Sequence, residues 1–150
     1  MTEYNSKHGL VSKSPFELYM SFVDMRNFLQ MLPEDKREGI TADFDTITGT
    51  VQGMTLGVRV LNRHPYSRID FTDNGGPVRF SFSLYFDASN EASKTDFYIR
   101  AQADLPMMVK MMVGSKIQKA LDKVVDSLVD ISEGRMPEGV DPEKLKDLKF

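Results

Sequence analysis

The sequence predicts an α+β domain in which a curved antiparallel sheet precedes one long C-terminal helix. From Gly39 to Leu105 several short runs, separated by turn signals, alternate apolar and polar residues, which is typical of strands with one buried face. From Pro106 to Gly134 the apolar period lengthens to that of a helix. The 150 residues suffice for one domain with a sizeable core. We expect a single domain over residues 1–134 and a tail over 135–150, where Asp141-Pro142-Glu143 is a start signal for a short helix.

Composition and charge exclude several classes of function. The net charge of −3, with both signs interspersed, argues against a nucleic-acid partner. The chain has no cysteine, which excludes disulfides and thiol chemistry and is typical of a reducing cytoplasm. No apolar run reaches the ~18 residues of a membrane span, and the polar start Met1–Lys7 lacks a signal sequence. We expect a soluble cytoplasmic protein without stable membrane insertion, as a monomer or a homodimer.

The N-terminal region predicts one strand followed by two short helices. Weak alternation over Tyr4–Ser12 predicts the strand, and Ser14-Pro15-Phe16-Glu17 is a capping box that starts the first helix. Asp24 is expected to cap the second helix, and Pro33 is expected to end it before a charged loop at Pro33–Glu38. The apolar side predicted for the first helix consists of Phe16, Tyr19, Met20 and Val23.

The central region predicts six strands. Short runs around Ile40, Ile47–Val51, Leu56–Val60 and Ile69–Phe71 are separated by turn signals, of which Asp73-Asn74-Gly75-Gly76-Pro77 is the strongest. Val78–Asp87 and Thr95–Leu105 alternate most cleanly. Such alternation predicts a buried face carrying the phenylalanines and a solvated face carrying Arg59, Asp70, Tyr98 and Arg100.

The start of the last helix, predicted at Leu105–Ile131, is unusually rich in methionine. Met107, Met108, Met111 and Met112 crowd into two turns, and such flexible thioethers suit a wall that adapts to apolar ligands. A long helix that follows a meander of strands can cover the concave face of a curved sheet. The four methionines are therefore expected either at the mouth of a cavity or as gap-filling core.

The order of strand, helix pair, six strands and long helix resembles the helix-grip fold of the SRPBCC or START-like superfamily. This superfamily includes START lipid-transfer domains, the birch-pollen allergen family and polyketide cyclases. The resemblance covers roughly Met1 to Gly134 and is greatest to small uncharacterised bacterial members with a Met-rich final helix. It implies a seven-stranded sheet (β-α-α-β6-α) wrapped around the C-terminal helix. The residues that carry it are Ser14–Tyr19, Asp24–Asn27, Asp45-Thr46, Val51–Met54, Leu105–Met108 and Lys110–Met112.

Two residues depart from the pattern of the resembling group. Phe44 stands in a turn where the group usually has a small residue. Gly49 stands where a large apolar residue is common, which would enlarge the cavity or mark a bulge.

The resemblance implies a cavity that holds a hydrophobic or lipid-like small molecule, with catalysis in a minority of members. From the inward strand positions and the helices we predict its lining. The lining candidates are Phe28, Leu56, Val58, Phe71, Phe80, Phe82, Leu84, Phe97, Ile99, Met107, Met108, Met111 and Met112.

Polar candidates for this cavity are few. His8 alternates with Tyr4, Ser6 and Leu10 and is the candidate polar anchor, whereas His64 is expected in a solvent-facing turn. Two histidines so placed, without cysteine, argue against a zinc site, and no cofactor is predicted. A cyclase-like enzyme would need His8, Asn62 or Gln52 inside the cavity. A protein-interaction domain with a vestigial cavity is the third hypothesis.

Overall fold

The computed structural model describes residues 1–31, 34–51, 53–76 and 78–135. Its elements in this part of the chain are eight strands, three α-helices and one 3-10 helix. They are β1 (Thr2–Asn5), β2 (Gly9–Val11), α1 (Pro15–Phe22), α2 (Arg26–Met31), a 3-10 helix (Glu34–Lys36), β3 (Ile40–Ala42), β4 (Thr46–Val51), β5 (Met54–His64), β6 (Arg68–Asp73), β7 (Arg79–Ala88), β8 (Thr95–Asp104) and α3 (Met107–Ser132). The tail 136–150, the predicted helix end at Pro33 and Gln52 lie outside the described residues.

The strands form one antiparallel sheet in the order β1-β8-β7-β6-β5-β4-β3, with β2 also paired to β8. This arrangement confirms the predicted α+β fold class, a curved sheet combined with a long last helix. The sheet has eight strands in the described part of the chain because the first predicted strand is divided in two. The 3-10 helix Glu34–Lys36 lies within the charged loop predicted at Pro33–Glu38.

The division of the first strand has a local chemical cause at Ser6. The backbone N–H of Ser6 donates to the carbonyl of Ile99 at 2.9 Å, which continues the pairing with β8. The N–H of Ile99, however, donates to the Ser6 hydroxyl at 2.8 Å instead of to a backbone carbonyl. The ladder is thus interrupted between β1 and β2, so the alternation of faces before Ser6 does not continue after it.

The start of α1 is confirmed, but its buried side differs from the prediction. The Ser14 hydroxyl accepts from the Glu17 N–H at 3.2 Å and donates to the Glu17 carboxylate at 3.1 Å, as a capping box requires. The buried side consists of Leu18, Tyr19 and Phe22, whereas Phe16 and Met20 are exposed. The core below α1 is aromatic, with the Phe22 ring 6.2 Å from that of Phe86, and it decides which side is covered.

Arg63 joins α1 to the β3–β4 turn. Its guanidinium donates to the Val23 carbonyl at the end of α1, at 3.0 and 2.8 Å, and to the Phe44 carbonyl at 2.9 Å. It also lies 4.1 Å from the centre of the Phe44 ring and forms an ion pair with Asp45 at 2.7 Å. The large residue at position 44 is therefore used as a cation–π partner for Arg63.

The last helix approaches the sheet most closely at Gly9. A Cβ atom on Gly9 would lie 2.5 Å from Val125 Cγ1 and 2.9 Å from Val129 Cγ2. Val125 and Leu128 are the buried residues of α3, and both lie in its C-terminal half. Within the described residues, no helix is long and apolar enough to cross a bilayer.

We expect Gly9→Ala to destabilise the protein by about 1–3 kcal/mol, because the added methyl overpacks the contact between β2 and α3. Denaturant unfolding measures the free energy. Adding Val125→Ala removes the clashing methyl, so the double variant should lose less stability than the sum of the two single variants.

Gly114→Ala is the matched control. A Cβ at Gly114 meets nothing closer than 3.7 Å, and alanine is favoured over glycine in a helix by about 1 kcal/mol. Stabilisation by Gly114→Ala together with destabilisation by Gly9→Ala would locate the tight contact. Equal effects of both substitutions would contradict it.

Candidate ligand site between the sheet and the last helix

The inner face of the sheet, which is the face that the helices pack on, becomes less buried along its strands. Phe71, Phe86 and Phe97 are fully buried within the core that α1 and α2 help to form. Towards the start of β7 and the end of β8 the inner face is less covered. Phe82, which pairs with Ala101, and Phe80, which pairs with Ala103, are only half-buried. The two alanines are half-buried as well. At this end of β7 and β8 the inner face therefore carries small side chains and is incompletely covered by the rest of the protein.

The methionine-rich half of α3 follows β8 after a link of two residues, and its side chains are largely exposed to solvent. Met107, Met108, Met111 and Met112 are 77, 78, 81 and 71% exposed. By their spacing, Met107 and Met111 lie on the same side of α3 as Gly114 and Val125, which approach Tyr4 and Gly9. The side of the helix that packs on the strands in the C-terminal half therefore continues uncovered into the N-terminal half. The alternative that these methionines fill gaps in a core does not hold, because they are exposed.

Tyr4 supplies a polar atom next to this region. Its side chain is buried with 8% exposure, it pairs with Ala101, and its hydroxyl has no hydrogen-bond partner among the residues that the structure describes. A Cβ on Gly114 would lie 3.7 Å from that hydroxyl, which places it against α3 one turn beyond the methionines. A buried hydroxyl without a partner is costly and calls for an explanation.

His8 lies on the other face of the sheet, which corrects its predicted orientation. Its ring stacks on Tyr98 at 4.1 Å, and Nδ1 is 3.1 Å from the Asp96 carboxylate. The interruption at Ser6 separates Tyr4, which faces inward, from His8, which faces outward. Tyr4 thus lies on the inner face where His8 was expected, and sequence reasoning placed both residues on one face because it predicted an unbroken strand.

The other predicted lining residues fall into two groups. Phe71, Leu84, Phe97 and Ile99 are buried in the hydrophobic core, while Phe28, Val58 and Phe82 are partly buried against it. Leu56 and Phe80 are also half-buried. Gly49 forms no bulge: it pairs regularly with Ile40 and Leu56, and the Ile40 side chain packs against it. The role of these residues in lining a site remains a prediction.

Of the polar groups that an enzyme would need, His8 and Asn62, the two that the structure describes, do not lie on the inner face. Asn62 is exposed and pairs with Asp70, so it shares the outer face with His8. Gln52 lies outside the described residues. Among the residues that the structure describes, no group of three or more histidines and carboxylates is suited to a metal ion.

The outer face carries an aromatic ladder that runs from the link between β1 and β2 across β8 to β7. Tyr98 stacks between His8 and Tyr85, with a centroid distance of 4.6 Å to Tyr85 and nearly parallel rings. The Tyr98 hydroxyl donates to the Asp87 carboxylate at 2.8 Å. Burial, followed by this hydrogen bond and the negative charge of Asp87, raises the pKa of Tyr98 to about 12.

A second polar cluster lies beside the ladder, around Asp70. Its carboxylate accepts from Ser83 at 2.6 Å and forms an ion pair with Arg68 at 3.0 Å. His64 Nε2 lies 3.1 Å from the same carboxylate, so this histidine contacts the sheet although it was expected in a solvent-facing turn. Asp70 therefore contacts three side chains, whereas the sequence predicted a solvated surface charge.

Comparison with solved structures identifies the fold. A solution structure from Thermobifida fusca has a TM-score of 0.66 at 12% identity, covering 89% of this chain and 95% of that one. A START superfamily protein from Mycobacterium smegmatis has a TM-score of 0.56 at 17% identity, covering 84% and 98%. The chain has the helix-grip fold of START-like proteins. This confirms the resemblance found in the sequence.

A further helix-grip neighbour is the Aha1 dimer from Colwellia psychrerythraea, with a TM-score of 0.54 at 16% identity and coverage of 86% and 97%. At these identities the likeness is one of fold alone. No protein-family model and no curated protein matches the sequence.

Tyr98 should titrate late in an alkaline titration followed by tyrosinate absorbance. Its pKa is near 10 in the unfolded chain and about 12 in the folded one, so the neutral hydroxyl stabilises the fold. That contribution is complete below about pH 10 and is lost as the pH rises through about 12.

Two variants test the cause of this shift. Tyr98→Phe should remove the late step, and Asp87→Asn should lower the pKa of Tyr98 while leaving it above 10, because burial is the larger cause. An unchanged titration in Asp87→Asn would show that the carboxylate plays no part.

Proposed function

We propose that the protein binds a hydrophobic or lipid-like small molecule between the inner face of the sheet and the N-terminal half of α3. The observation that carries this proposal is the exposure of four methionines on a helix whose other half packs against the same sheet. Contiguous exposed apolar surface in a folded domain marks an interaction site, and methionine adapts to ligands of varied shape. The resemblance to START lipid-transfer domains supports the same class of ligand.

The side chains of the sheet near the methionines favour a small ligand. Ala101 and Ala103 leave more room than the phenylalanines and isoleucine elsewhere on the inner face, and Phe80 and Phe82 offer half-buried aromatic surface. Affinity at such a site comes mainly from apolar area removed from water. We propose a cytoplasmic carrier or sequestering protein without catalysis of its own.

Tyr4 supplies the polar end of the site. Its hydroxyl is buried without a partner in the described part of the chain, and a ligand carrying a hydroxyl, carbonyl or carboxyl group would satisfy it. The ligand class is therefore an amphipathic molecule, with its polar group at Tyr4 and its apolar part against Met107 and Met111, the two methionines on the side of α3 that faces the strands.

A filling substitution tests the location of the site. Ala103→Leu adds about three carbon atoms to the inner face, each displacing ligand surface worth about 0.8 kcal/mol. We expect binding of the neutral fluorescent probe N-phenyl-1-naphthylamine to weaken by about tenfold or more. Gln102→Leu, one residue away on the outer face, is the matched control and should bind the probe as the original protein does. Equal binding by all three proteins would exclude the inner face.

Tyr4→Phe tests the polar anchor. Removing a buried unpaired hydroxyl should stabilise the ligand-free protein by about 1 kcal/mol in denaturant unfolding. The same variant should bind an amphipathic probe such as a fatty alcohol more weakly, with no change for the wholly apolar alkane of equal length. Lower stability in Tyr4→Phe would mean that the hydroxyl has a partner in the protein itself.

The same exposed methionines favour a second candidate, a protein-interaction domain whose partner covers them. Native mass spectrometry of the purified protein separates the two candidates. A released small apolar molecule supports the carrier, and a stable dimer or complex with an empty site supports the interaction domain.

A further inference from the structure

The outer face of the sheet holds a groove of about 420 Å³ that crosses β1, β8 and β7. This volume falls within the range of small-molecule sites. The groove lies on the opposite side of the sheet from the apolar site, so it is independent of the proposed function. Its polar lining includes Asn5, Ser81, Ser83, Tyr98, Arg100 and Gln102.

The carboxylates in and beside the groove are already engaged. Glu3, the one carboxylate among the described lining residues, accepts from Gln102 Nε2 at 3.3 Å. Beside the groove, Asp87 accepts from Tyr98, and Asp96 is bound by His8. Asp70 is held by Arg68, Ser83 and His64. These carboxylates are thus occupied by protein donors.

The free groups of the groove are donors. The Arg100 guanidinium is exposed and forms no ion pair with any described residue. It lies 5.3 Å from the ring centre of Tyr85 and 5.5 Å from that of Tyr98. Contact with two aromatic rings orients the guanidinium before any ligand arrives, which lowers the entropic cost of binding. The Ser81 hydroxyl and the Asn5 amide, in the described part of the protein, donate to no other residue.

We propose that this groove binds a small organic oxyanion, a carboxylate or a phosphate ester, through Arg100. A guanidinium binds either group with two parallel hydrogen bonds, and the Ser81 hydroxyl and Asn5 amide are placed to donate to the remaining oxygens. A neutral ligand of the same shape lacks the charge that Arg100 would pair with. The 420 Å³ groove has room for a planar ring next to the anionic group.

The test is a titration followed by backbone amide chemical shifts, with three related probes at fixed ionic strength. Benzoate supplies a carboxylate, phenyl phosphate supplies a phosphate ester, and benzamide is the neutral counterpart of benzoate. We expect both anions to shift amides of residues 3–8, 81–85 and 98–102 and benzamide to leave them unchanged. The tighter of the two anions identifies the class of oxyanion.

Arg100→Gln should weaken binding of the tighter anion by about tenfold or more, since a charge-assisted hydrogen-bond pair is lost. Arg59→Gln is the matched control, because Arg59 is an exposed arginine on the same face but outside the groove lining. Ser81→Ala should give a smaller loss. Unchanged thermal unfolding of the three variants confirms that their fold is intact.

Three results would overturn the proposal. They are equal affinity of Arg100→Gln and the original protein, binding of benzamide as tight as that of benzoate, and shifts confined to the inner face. Absence of any shift with both anions at millimolar concentration would overturn it as well.

Discussion

The contact between Gly9 and α3 is the constraint on which the remaining structure depends. Without a side chain at position 9, Val125 and Val129 approach the backbone of β2 closely, and the C-terminal half of the helix is attached there. Gln118 of the same helix donates to the carbonyl of Asn5. Because the buried residues of α3 lie in this half, its first turns extend beyond the tight packing. The exposure of the methionines and the incomplete burial of Ala101 and Ala103 are both consistent with attachment at one end.

A second consequence comes from the interruption at Ser6. The hydroxyl of Ser6 takes the place of a backbone acceptor, and the two halves of the N-terminal strand then present different residues to each face. Tyr4 faces the core side and His8 the outer side, where it extends the aromatic ladder of Tyr98 and Tyr85. One sheet therefore separates an apolar region from a polar, donor-rich groove. The two proposed sites call for chemically different ligands and can be tested independently.

Much of the fold could be predicted from local patterns. The capping box at Ser14, the clean alternation of β7 and β8 and the long apolar period of α3 depend on neighbours in sequence, and all three are confirmed. The prediction of the buried side of α1 was wrong, because helical spacing alone allows several apolar sides. Packing against the aromatic core buries Leu18 and Phe22. The extension of β5 to His64 was missed because Asn62-Arg63-His64-Pro65 has turn-like composition, whereas pairing with β6 continues to Arg68 after a bulge.

The sequence by itself determined the fold class, the order of elements and the apolar character of the start of α3, because periodicity and capping are local properties. Only the tertiary structure decided which residues meet. The Tyr4 hydroxyl is buried without a hydrogen-bond partner among the described residues, His8 faces outward, and Arg100 lies over two tyrosines on neighbouring strands. These outcomes depend on strand register and on the approach of a helix more than 100 residues away from Tyr4 and His8. A change of one residue in register reverses every face, so alternation around Ser6 could not predict them.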